Sequence, residues 1–453
     1  MKSVHITNYY HKDSGGISTA YNKLLEAANR HRRPVRLIVP GEETCIEDVG
    51  EFGRIYYVKA NYSPVFDKRY RLMLPWKTYI FDKSPIKTIL RDEAPDLIEI
   101  GEKYTLSLMA GLLRRHTMTV AKQRPMLVHF SCERMDDNVA SFINRGAVSR
   151  WFCRRFMGSF NLPMFDFHLA NSEYTAGEFF DAVSQEKRPR PSTAFVNLCW
   201  RLLRAPKIAL KERIFVNQCG VDNVTFSPSR KDPRLRSELL KRLDLPTDSR
   251  LLLFAGRISP EKNVKLLTNL MKVVKAKGEN KYRLLIAGSG PSLETLRSEA
   301  HSALPGLVKF LGHVGDKPDL ANIYANSDVF VHTNPNEPFG IAPLEALASG
   351  IPLVAPNAGG VLSYANDGNS WLTQPNGESF ASAVRDVFTD ETRRKTKTDQ
   401  GIKTASRYSW EASTDALFAI YDEMYSRFRL QPDLYDYTDF PSEINFAADL
   451  NAC

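Results

Sequence analysis

Two glutamates flank the loop in which this sequence most clearly offers chemistry. Glu337 precedes Pro-Phe-Gly, and Glu345 follows eight residues later, within the stretch EPFGIAPLEALASG. Paired carboxylates can exchange protons with a substrate or hold the hydroxyl groups of a ligand. The alternative is a capped surface helix, in which an acid near the N-terminus contributes about 0.3–1 kcal/mol. The spacing alone is compatible with both interpretations.

The surrounding elements place Glu337 in a loop and Glu345 early in a helix. Residues 328–332 have the pattern of a strand that ends just before the loop, and Pro343 suits the first turn of the following helix. Ligands of open parallel sheets bind at the carboxyl ends of strands. Because the N–H groups at a helix N-terminus favour anions, we expect residues 340–342 to face a negatively charged group.

A pair of cations follows another predicted strand, at residues 251–255. Arg257 and Lys262 flank a turn in which Ser259 suits an N-cap and Pro260 suits the first helical position. Arginine offers a fork of donors and lysine a point charge, so the two would form a good diphosphate clamp beside a helix N-terminus. A solvated basic turn is the alternative interpretation.

Two glycine-containing loops also follow predicted strands. Ser14-Gly15-Gly16 and Gly288-Ser289-Gly290-Pro291 would let the backbone approach a ligand without a side-chain clash. Each is a weak signal by itself, because such glycines occur in many turns. Neither forms G-x-G-x-x-G, which disfavours a nicotinamide-dependent dehydrogenase.

Short apolar runs alternate with helical patterns along the chain, which predicts parallel sheets with covering helices. The alternation restarts after residues 220–222 and a polar, proline-bearing stretch. We therefore predict two α/β domains, 1–220 and 221–409, followed by a helix at 410–428 and an acidic tail at 429–453. A chain of 453 residues with 43% hydrophobic and 25% charged residues has globular proportions.

Charge and cysteine content restrict the class of protein. The net charge of +9 suits anionic lipid, nucleic acid or phosphorylated substrates, but no basic-aromatic platform indicates nucleic-acid binding. The six cysteines form no CxxC pair and indicate neither a zinc site nor a disulfide framework, which favours a reducing cytoplasm. The N-terminus lacks a signal-peptide pattern, and no run approaches the roughly 18 apolar residues of a membrane span. We expect a cytoplasmic protein, soluble or peripheral to a membrane.

Two basic segments that contain aromatic residues, 146–156 and 186–213, suggest contact with a membrane surface. In the second segment, two apolar helical faces are predicted, Val196 with Trp200 and Leu203, and Phe195 with Leu198 and Leu202. A basic amphipathic helix with tryptophan is typical of elements that lie on anionic membranes. Alternatively, the aromatic side chains pack on the domain and the cations form a solvated face. The sequence leaves both interpretations open.

Taken in order, these motifs resemble the family-4 retaining glycosyltransferases of the GT-B fold, from Ser3 to about Tyr425. The markers are Ser14-Gly15-Gly16-Ile17, Asn171-Ser172 with Thr175-Ala176, Gly220-Val221-Asp222 with Phe226-Ser227-Pro228, Gly256-Arg257 with Glu261-Lys262-Asn263, Gly288-Ser289-Gly290-Pro291, and the Glu-seven-Glu stretch. Each marker is weak, whereas the ordered set is specific. Residues 130–136 and the N-terminal stretch are most similar to bacterial α-mannosyltransferases that act on phosphatidylinositol-type lipids.

The resemblance implies two Rossmann-like domains whose parallel sheets face each other across a cleft. Residues 1–220 would form the acceptor side, and residues 221–409 would bind a nucleotide sugar. The helix at 410–428 would cross back onto the N-terminal domain.

The resemblance also implies roles for individual residues. Those expected to act on the donor are Arg257 and Lys262 on the diphosphate and leaving group, Glu337 on the transferred sugar, Glu345 on the ribose hydroxyls, the backbone N–H groups of Phe339, Gly340 and Ile341 near the sugar, and Gly16 near the distal phosphate. The family transfers with retention and without a metal, and the sequence agrees, since no Asp-x-Asp pair follows a strand in a sugar-binding loop. The two glutamates would then hold sugar and ribose rather than form an acid–base pair.

One position departs from the family pattern. Many relatives carry a histidine that faces the sugar where this sequence has Cys132. His129 lies three residues earlier in the strand, so it should face the opposite side as a core residue. Either the histidine contact is absent or the register differs. Cys132, Glu133, Arg134 and Asp136 are the expected acceptor-side residues, and a surface ion pair is the alternative for the charged ones.

The resulting hypothesis is a retaining, metal-independent hexosyltransferase. It would use GDP-mannose or a UDP-hexose as co-substrate, need no other cofactor, and transfer the sugar, preferably mannose, to a lipid hydroxyl at the inner face of the plasma membrane. Two alternatives stay open: a soluble saccharide or polysaccharide acceptor with the same fold, and a non-catalytic protein that binds nucleotide sugars.

Overall fold

Two separate parallel sheets, each with its own hydrophobic core, divide the chain into two units. The computed structural model describes residues 1–11, 15–63, 70–142, 147–186, 190 and 192–437. The first unit contains the residues up to Gln218 and those from Ser413 onward, and the second is Cys219–Ala412. The boundary predicted at residue 220 therefore lies two residues beyond the one observed.

Ten strands lie in the first unit and six in the second, within the residues that the structure describes. They are β1 (Ser3–Ile6), β2 (Val35–Gly41), β3 (Cys45–Val49), β4 (Gly53–Lys59), β5 (Asn61–Tyr62), β6 (Arg71–Leu72), β7 (Leu97–Ile100), β8 (Met126–Ser131), β9 (Phe167–Ala170), β10 (Ile214–Val216), β11 (Arg250–Ala255), β12 (Tyr282–Ala287), β13 (Val308–Gly312), β14 (Val329–Val331), β15 (Leu353–Pro356) and β16 (Trp371–Thr373).

Helices connect most of these strands. They are α1 (Gly16–His31), α2 (Pro75–Thr78), α3 (Pro85–Glu93), α4 (Ser107–Arg114), α5 (Met135–Phe142), α6 (Ala147–Phe156), α7 (Glu173–Val183), α8 (Thr193–Leu202), α9 (Pro233–Arg242), α10 (Lys265–Ala276), α11 (Leu293–Ala303), α12 (Lys317–Ala325), α13 (Ile341–Ala348), α14 (Gly377–Val387), α15 (Glu391–Ala405), α16 (Trp410–Leu430) and α17 (Pro432–Tyr435). A π-helical turn, Met157–Asn161, extends α6, and a 3₁₀ turn, Pro260–Lys262, precedes α10.

The first unit is built on an eight-stranded sheet in the order β10-β9-β8-β7-β1-β2-β4-β3. All neighbours are parallel except β3, which pairs antiparallel with β4 at the edge. The central strands β1, β7 and β9 are buried along their whole length, as expected for a sheet covered by helices on both faces.

The second unit has a six-stranded parallel sheet in the order β13-β12-β11-β14-β15-β16. From β11 the chain adds β12 and β13 on one side, and it then returns to place β14 on the other side of β11. The strand order therefore reverses between β11 and β14, where ligands of open α/β sheets bind. The predicted α/β class with two Rossmann-like sheets is confirmed.

Two of the sequence motifs have structural roles, one as a helix cap and one in close backbone packing. Ser172 caps α7, because its hydroxyl accepts from the N–H of Thr175 and its own N–H donates to the Thr175 hydroxyl, in a reciprocal capping box. Gly220 lies against Trp410 so closely that a Cβ would approach the Trp410 Cα to 2.6 Å. Glycine is thus required there for packing.

Helix α16 spans the position of the helix predicted at 410–428, and its residues from Ser413 belong to the first unit. The Tyr421 hydroxyl donates to the buried carboxylate of Glu99, which also accepts from the Tyr21 hydroxyl at 3.2 Å. This buried polar contact ties the helix to the centre of the first sheet, since Glu99 lies on β7.

The start of the acidic tail docks on the first unit. The carbonyl of Tyr435 accepts hydrogen bonds from Arg114 (2.9 Å) and Arg124 (3.1 Å). Both arginines also bind the buried carboxylate of Asp166. Of the predicted tail, residues 438–453 lie outside the described residues.

Candidate active site

An ion pair joins the two loops at the point where the strand order of the second sheet reverses. Lys262 follows β11 and Glu337 follows β14, and Lys262 Nζ lies 2.8 Å from each carboxylate oxygen of Glu337. Asn334 Nδ2 donates to Glu337 Oε2 at 3.0 Å. The structure thus brings together two residues that lie 75 positions apart in the sequence.

Two further hydrogen bonds fix the same loops to each other. The Thr333 hydroxyl donates to the carbonyl of Lys262 at 2.7 Å, and Asn263 Nδ2 donates to the carbonyl of Thr333 at 3.1 Å. Asn263 has a left-handed backbone with φ 51°, a conformation that asparagine tolerates better than most residues. The position of Lys262 is therefore set by backbone contacts as well as by its own charge.

The turn after β11 differs from the prediction made for it. Residues Pro260–Lys262 form a 3₁₀ turn, and α10 begins only at Lys265. Ser259 does not cap a helix; its hydroxyl donates to Glu261 Oε1 at 2.6 Å. Arg257 Nη1 lies 3.6 Å from the same Glu261 oxygen, so the predicted cation is held within the turn.

The glycines of residues 288–291 serve close packing against this turn. A Cβ on Gly288 would lie 1.9 Å from the Gly256 carbonyl oxygen, and one on Gly290 would lie 2.3 Å from the Ile258 carbonyl oxygen. The N–H of Ile258 donates to the Ser289 carbonyl at 2.9 Å. The loop after β12 thereby supports the loop that carries Arg257.

The Glu337 carboxylate is buried yet stays ionised at neutral pH. Burial raises its pKa, but the charge of Lys262, the neighbouring His332 and the hydrogen bonds from Lys262 and Asn334 outweigh burial and lower the pKa below its usual value. An ionised carboxylate is a hydrogen-bond acceptor only. Glu337 can therefore hold hydroxyl groups but does not supply a proton.

Glu345 lies in the second turn of α13, later in the helix than predicted. The acid is half-buried, and the Tyr324 hydroxyl donates to its Oε2 at 3.2 Å. Burial raises the pKa of Glu345 to about 7, against the opposing effect of that hydrogen bond. The surroundings thus lower the pKa of Glu337 and raise that of Glu345, and neither residue is a solvated surface acid.

The predicted N–H groups at residues 339–341 lie at the start of α13. Gly340 has φ 91° and precedes the helix, and its carbonyl accepts from the Tyr364 hydroxyl at 2.5 Å. The Phe339 side chain is buried against Tyr364, so this residue has only its backbone to offer a ligand. Ile341 is the first residue of α13.

Several residues that shape this site carried no recognised signal in the sequence. Gly360, just after β15, donates its N–H to the Glu337 carbonyl at 2.6 Å, and a Cβ there would lie 1.9 Å from the Pro338 carbonyl oxygen. The adjacent glycines Gly359 and Gly360 were an available clue, because such pairs are typical of turns. Asn334 and His332 lie directly after β14, where polar residues of a switch-point loop are expected to face a ligand.

The acceptor-side residues predicted in the first unit form an internally satisfied network after β8. Glu133 accepts from the Tyr9 hydroxyl at 2.7 Å and from the Asn138 amide, and its pKa is raised by burial. Arg134 binds Asp136 (2.9 Å) and Asp181 (2.9 Å).

Cys132 and His129 are both buried, and His129 packs in the core against Phe165, His168 and Phe179. The prediction that His129 faces the core is confirmed. In the first unit, Gly16 is the exposed first residue of α1, while Ser14 lies outside the described residues.

The described part of the chain contains no group of three His, Cys, Asp or Glu side chains that could hold a metal ion. Among the helices that the structure describes, none is long and apolar enough to cross a membrane.

Comparison with known proteins relates the second unit to a family of glycosyltransferases. Residues 236–404 match the family described as "Glycosyl transferases group 1". The chain is 25% identical over 419 residues to a GDP-mannose-dependent alpha-(1-6)-phosphatidylinositol dimannoside mannosyltransferase of Mycobacterium tuberculosis, covering 92% of this chain and 95% of the relative. It is 24% identical over 381 residues to a GDP-mannose-dependent alpha-mannosyltransferase of Corynebacterium glutamicum, covering 82% and 76%.

Solved structures of other glycosyltransferases have the same fold as this chain. The crystal structure of Anabaena HepE in complex with UDP and glucose superposes with a TM-score of 0.63 at 18% identity, covering 93% of this chain and 99% of that one. At this identity the likeness concerns the fold alone.

The fold and the relatives together define a glycosyltransferase of the GT-B fold that uses a nucleotide sugar. More narrowly, the chain is a hexosyltransferase that is similar to GDP-mannose-dependent mannosyltransferases. The resemblance predicted from the ordered motifs is confirmed.

Replacement of Glu345 by glutamine should stabilise the second unit more at pH 8 than at pH 5. The folded-state pKa of Glu345 is raised from 4.5 to about 7. Stability is therefore lost as pH rises through about 7, because only the folded state still binds the proton. Glutamine stays neutral and removes this loss. The urea midpoint of the second unit at both pH values measures the effect.

Glu378→Gln, at an exposed position of α14, is the matched control and should show no such difference between the two pH values. An equal shift for Glu345→Gln at both pH values would contradict the raised pKa.

Proposed function

We propose that the chain is a retaining, metal-independent mannosyltransferase that moves mannose from GDP-mannose to a hydroxyl of a phosphatidylinositol-type lipid. The observation that carries the donor half of this proposal is the Lys262–Glu337 pair at the strand reversal of the second sheet. The sugar and the acceptor are suggested by the relatives, which are named as mannosyltransferases.

The donor would be held by charge and by hydroxyl recognition. Arg257 and Lys262 would bind the diphosphate and stabilise the negative charge that develops on it as the glycosidic bond breaks. Glu337 would accept hydrogen bonds from the transferred sugar. Glu345 would do the same for the ribose, with the N–H groups at the start of α13 nearby. Gly16 as a contact for the distal phosphate stays a prediction.

The ionisation of Glu337 favours a reaction without an enzyme acid at the sugar. In the proposed step, the bond from the sugar C1 to the phosphate oxygen breaks, and the acceptor oxygen bonds to C1 on the same face. The acceptor proton passes to the departing phosphate oxygen. The two cations of the site would lower the energy of this separated charge in place of a metal.

Replacement of Lys262 or Glu345 by alanine should reduce transfer by about 100-fold or more with the fold retained, since the first removes a charged contact to the donor diphosphate and the second a hydrogen-bonding contact to the ribose. The measurement is sugar transfer with the donor that gives the largest thermal shift among GDP-mannose, UDP-glucose, UDP-galactose and UDP-GlcNAc. Lys265→Ala, an exposed lysine at the start of α10, is the matched control.

Turnover close to wild type in both variants would remove the donor-site assignment. Transfer to soluble saccharides but not to inositol lipids would favour the alternative acceptor. Binding of a nucleotide sugar without any transfer or slow hydrolysis would favour a binding protein.

The proposed lipid acceptor is supported by an exposed apolar surface on α6 and α8. On α6, Trp151 and Phe152 are 44% and 54% exposed, and on α8, Leu198 and Leu202 are 51% and 46% exposed. Arg155 lies over the ring of Trp151 and over that of Phe195, so a cation links the two helices. Such a mixture of exposed apolar side chains and arginine suits the interface of an anionic membrane.

The structure separates the two apolar faces predicted for residues 186–213. Val196 and Trp200 are buried in the core of the first unit, and Trp200 Nε1 donates to the Gly158 carbonyl at 2.7 Å. The interpretation of Trp200 as a membrane-surface residue is therefore wrong, because its ring fills the space beside the π-helical turn. Arg213 is likewise buried, donating to the Phe165 carbonyl. Gly146, Lys187 and Arg188 lie outside the described residues.

We expect two double variants, Trp151→Ser with Phe152→Ser and Leu198→Ser with Leu202→Ser, each to float about tenfold less with liposomes that contain anionic lipid. Each substitution removes exposed apolar area that would be buried in the interface, at roughly 25 cal/mol per Å². Neutral liposomes should bind the unchanged protein weakly. Ile46→Ser, at an exposed position of β3, is the control for loss of an exposed apolar side chain. If the protein floats equally with neutral and anionic liposomes, and both double variants still bind, α6 and α8 do not form a membrane-binding surface.

A further inference from the structure

The chain that follows α17 is held beside the end of α8. The Tyr437 hydroxyl donates to the Ala205 carbonyl at 2.7 Å, and Lys207 Nζ lies 4.1 Å from the centroid of the Tyr437 ring. The Lys207 N–H donates to the Leu434 carbonyl at 2.8 Å. The distal tail, residues 438–453, continues from that point and lies outside the described residues.

The two residues before Tyr437 anchor the start of the distal tail to the first unit. The ring of Tyr435 is buried, with its centroid 5.0 Å from that of Phe167 and 5.8 Å from that of Phe428. The carboxylate of Asp436 lies 3.1 Å from Arg124 Nε. Because ring, carboxylate and hydroxyl all have partners, the point from which the distal tail starts is fixed.

Helix α8 presents an apolar face next to this anchor. Leu198 and Leu202 are exposed among the residues that the structure describes, and their spacing of four positions places them on the same side of the helix. The helix and the residues around its end are basic and contain no acid from 192 to 211. The cations in that range are Arg201, Arg204, Lys207 and Lys211. The face therefore suits a segment that is both apolar and acidic.

The distal tail has this complementary composition. It contains three acids and no lysine or arginine, and large apolar residues alternate with the acids. The acids are Asp439, Glu443 and Asp449, and the apolar residues are Phe440, Ile444, Phe446 and Leu450. A second copy of α8 would bring cations against cations, so charge favours the distal tail as the occupant. A segment joined to its site by a short connection also has an effective concentration of roughly millimolar.

The distal tail is long enough to cover the face. Helix α8 has ten residues and is therefore about 15 Å long. The sixteen residues of the distal tail span up to about 50 Å when extended. Starting beside Ala205, the segment has only to turn back along the helix to reach Leu202 and then Leu198.

We propose that the distal tail docks along the exposed face of α8 and competes there with an anionic membrane. Its apolar residues would cover Leu198 and Leu202, and its acids would lie near the cations at the end of the helix. A membrane would have to displace the distal tail, so the fraction of molecules with an uncovered α8 sets the apparent affinity for lipid. The competition rests on the membrane contact in the proposed function, whereas the docking does not.

The docking is tested with Ala194→Cys, an exposed position four residues before Leu198 that leaves both leucines in place. The variant is made in the full chain and in a chain that ends at Tyr437, with Cys453→Ser in the former. Alkylation of the introduced thiol by iodoacetamide is followed at its own peptide by mass spectrometry. We expect it to be about threefold slower in the full chain, because the thiol reacts only while α8 is uncovered.

Cys45, an exposed cysteine of β3, is the internal control and should react at the same rate in both chains. Adding Leu198→Ser with Leu202→Ser to the full chain should abolish the protection at position 194, since the apolar contacts are lost. Equal alkylation rates of Ala194→Cys in the two chains overturn the docking. Protection that increases with protein concentration would assign the contact to another copy of the chain and would also overturn it.

The competition is tested by flotation with liposomes of equal parts phosphatidylcholine and phosphatidylglycerol. We expect the chain that ends at Tyr437 to bind about threefold more tightly than the full chain, since one uncovered fraction governs both alkylation and lipid binding. Removal of three acids also raises the net charge. The matched control is therefore the full chain with three exposed acids of the first unit neutralised, Glu43→Gln, Glu51→Gln and Asp92→Asn.

A gain in flotation no larger than that of this charge control overturns the competition. If neither the full chain nor the chain that ends at Tyr437 floats with these liposomes, the proposed membrane contact fails and the competition fails with it. The alkylation rates then still decide the docking, because they are measured without lipid. The failure of the docking and the failure of the proposed function are therefore distinguishable.

Discussion

Burial of the Glu337 carboxylate is the constraint on which the rest of the second unit depends. A charged carboxylate with so little exposure is tolerated only when donors satisfy it, since desolvation of an unpaired charge is strongly unfavourable. Lys262 and Asn334 provide those donors, and Lys262 comes from the loop after a different strand. The hydrogen bonds of Thr333 and Asn263 that join these two loops therefore help to hold Lys262 close to the Glu337 carboxylate. Gly360 and Gly288 allow the close backbone packing that holds both loops in place.

The two units divide charge and apolar surface differently. In the second unit, cations and carboxylates of different strands meet at the reversal of strand order. In the first unit, the ionic groups after β8 bind each other, as Arg134 does with Asp136 and Asp181. The first unit also exposes apolar side chains on α6 and α8. Under the proposed function, the charged contacts of the second unit would hold the donor, and the exposed apolar side chains of the first unit would contact a membrane surface.

Local patterns predicted the strands at residues 251–255 and 328–332 and the loops that follow them, whereas the roles assigned to the residues of those loops stay predictions. These elements could be predicted because hydrophobic periodicity and turn residues are properties of neighbouring positions in the sequence. The contact of Lys262 with Glu337 could not be derived from spacing, because it depends on β14 being placed beside β11 rather than beside β13. The ordered motifs supplied that information only through resemblance to a family. The adjacent glycines Gly359 and Gly360 are typical of a turn, but their contact with the Glu337 loop could not be predicted from the sequence.

Trp200 shows why side-chain environment was harder to predict than secondary structure. The two apolar faces of α8 lie about 100° apart around the helix axis, and either face could have been the buried one. The neighbouring π-helical turn, which no pattern indicated, offers the carbonyl of Gly158 to the indole and so selects the face of Trp200. The face with Leu198 and Leu202 is left exposed.

The central claim is that the Lys262–Glu337 pair is the donor site. A crystal structure with a hydrolysis-resistant nucleotide sugar tests it most directly. The account predicts phosphate oxygens within about 3.2 Å of Lys262 Nζ and of the Arg257 guanidinium, with a sugar hydroxyl on Glu337. A diphosphate bound elsewhere, with the Lys262–Glu337 contacts unchanged and no sugar hydroxyl on Glu337, would contradict it.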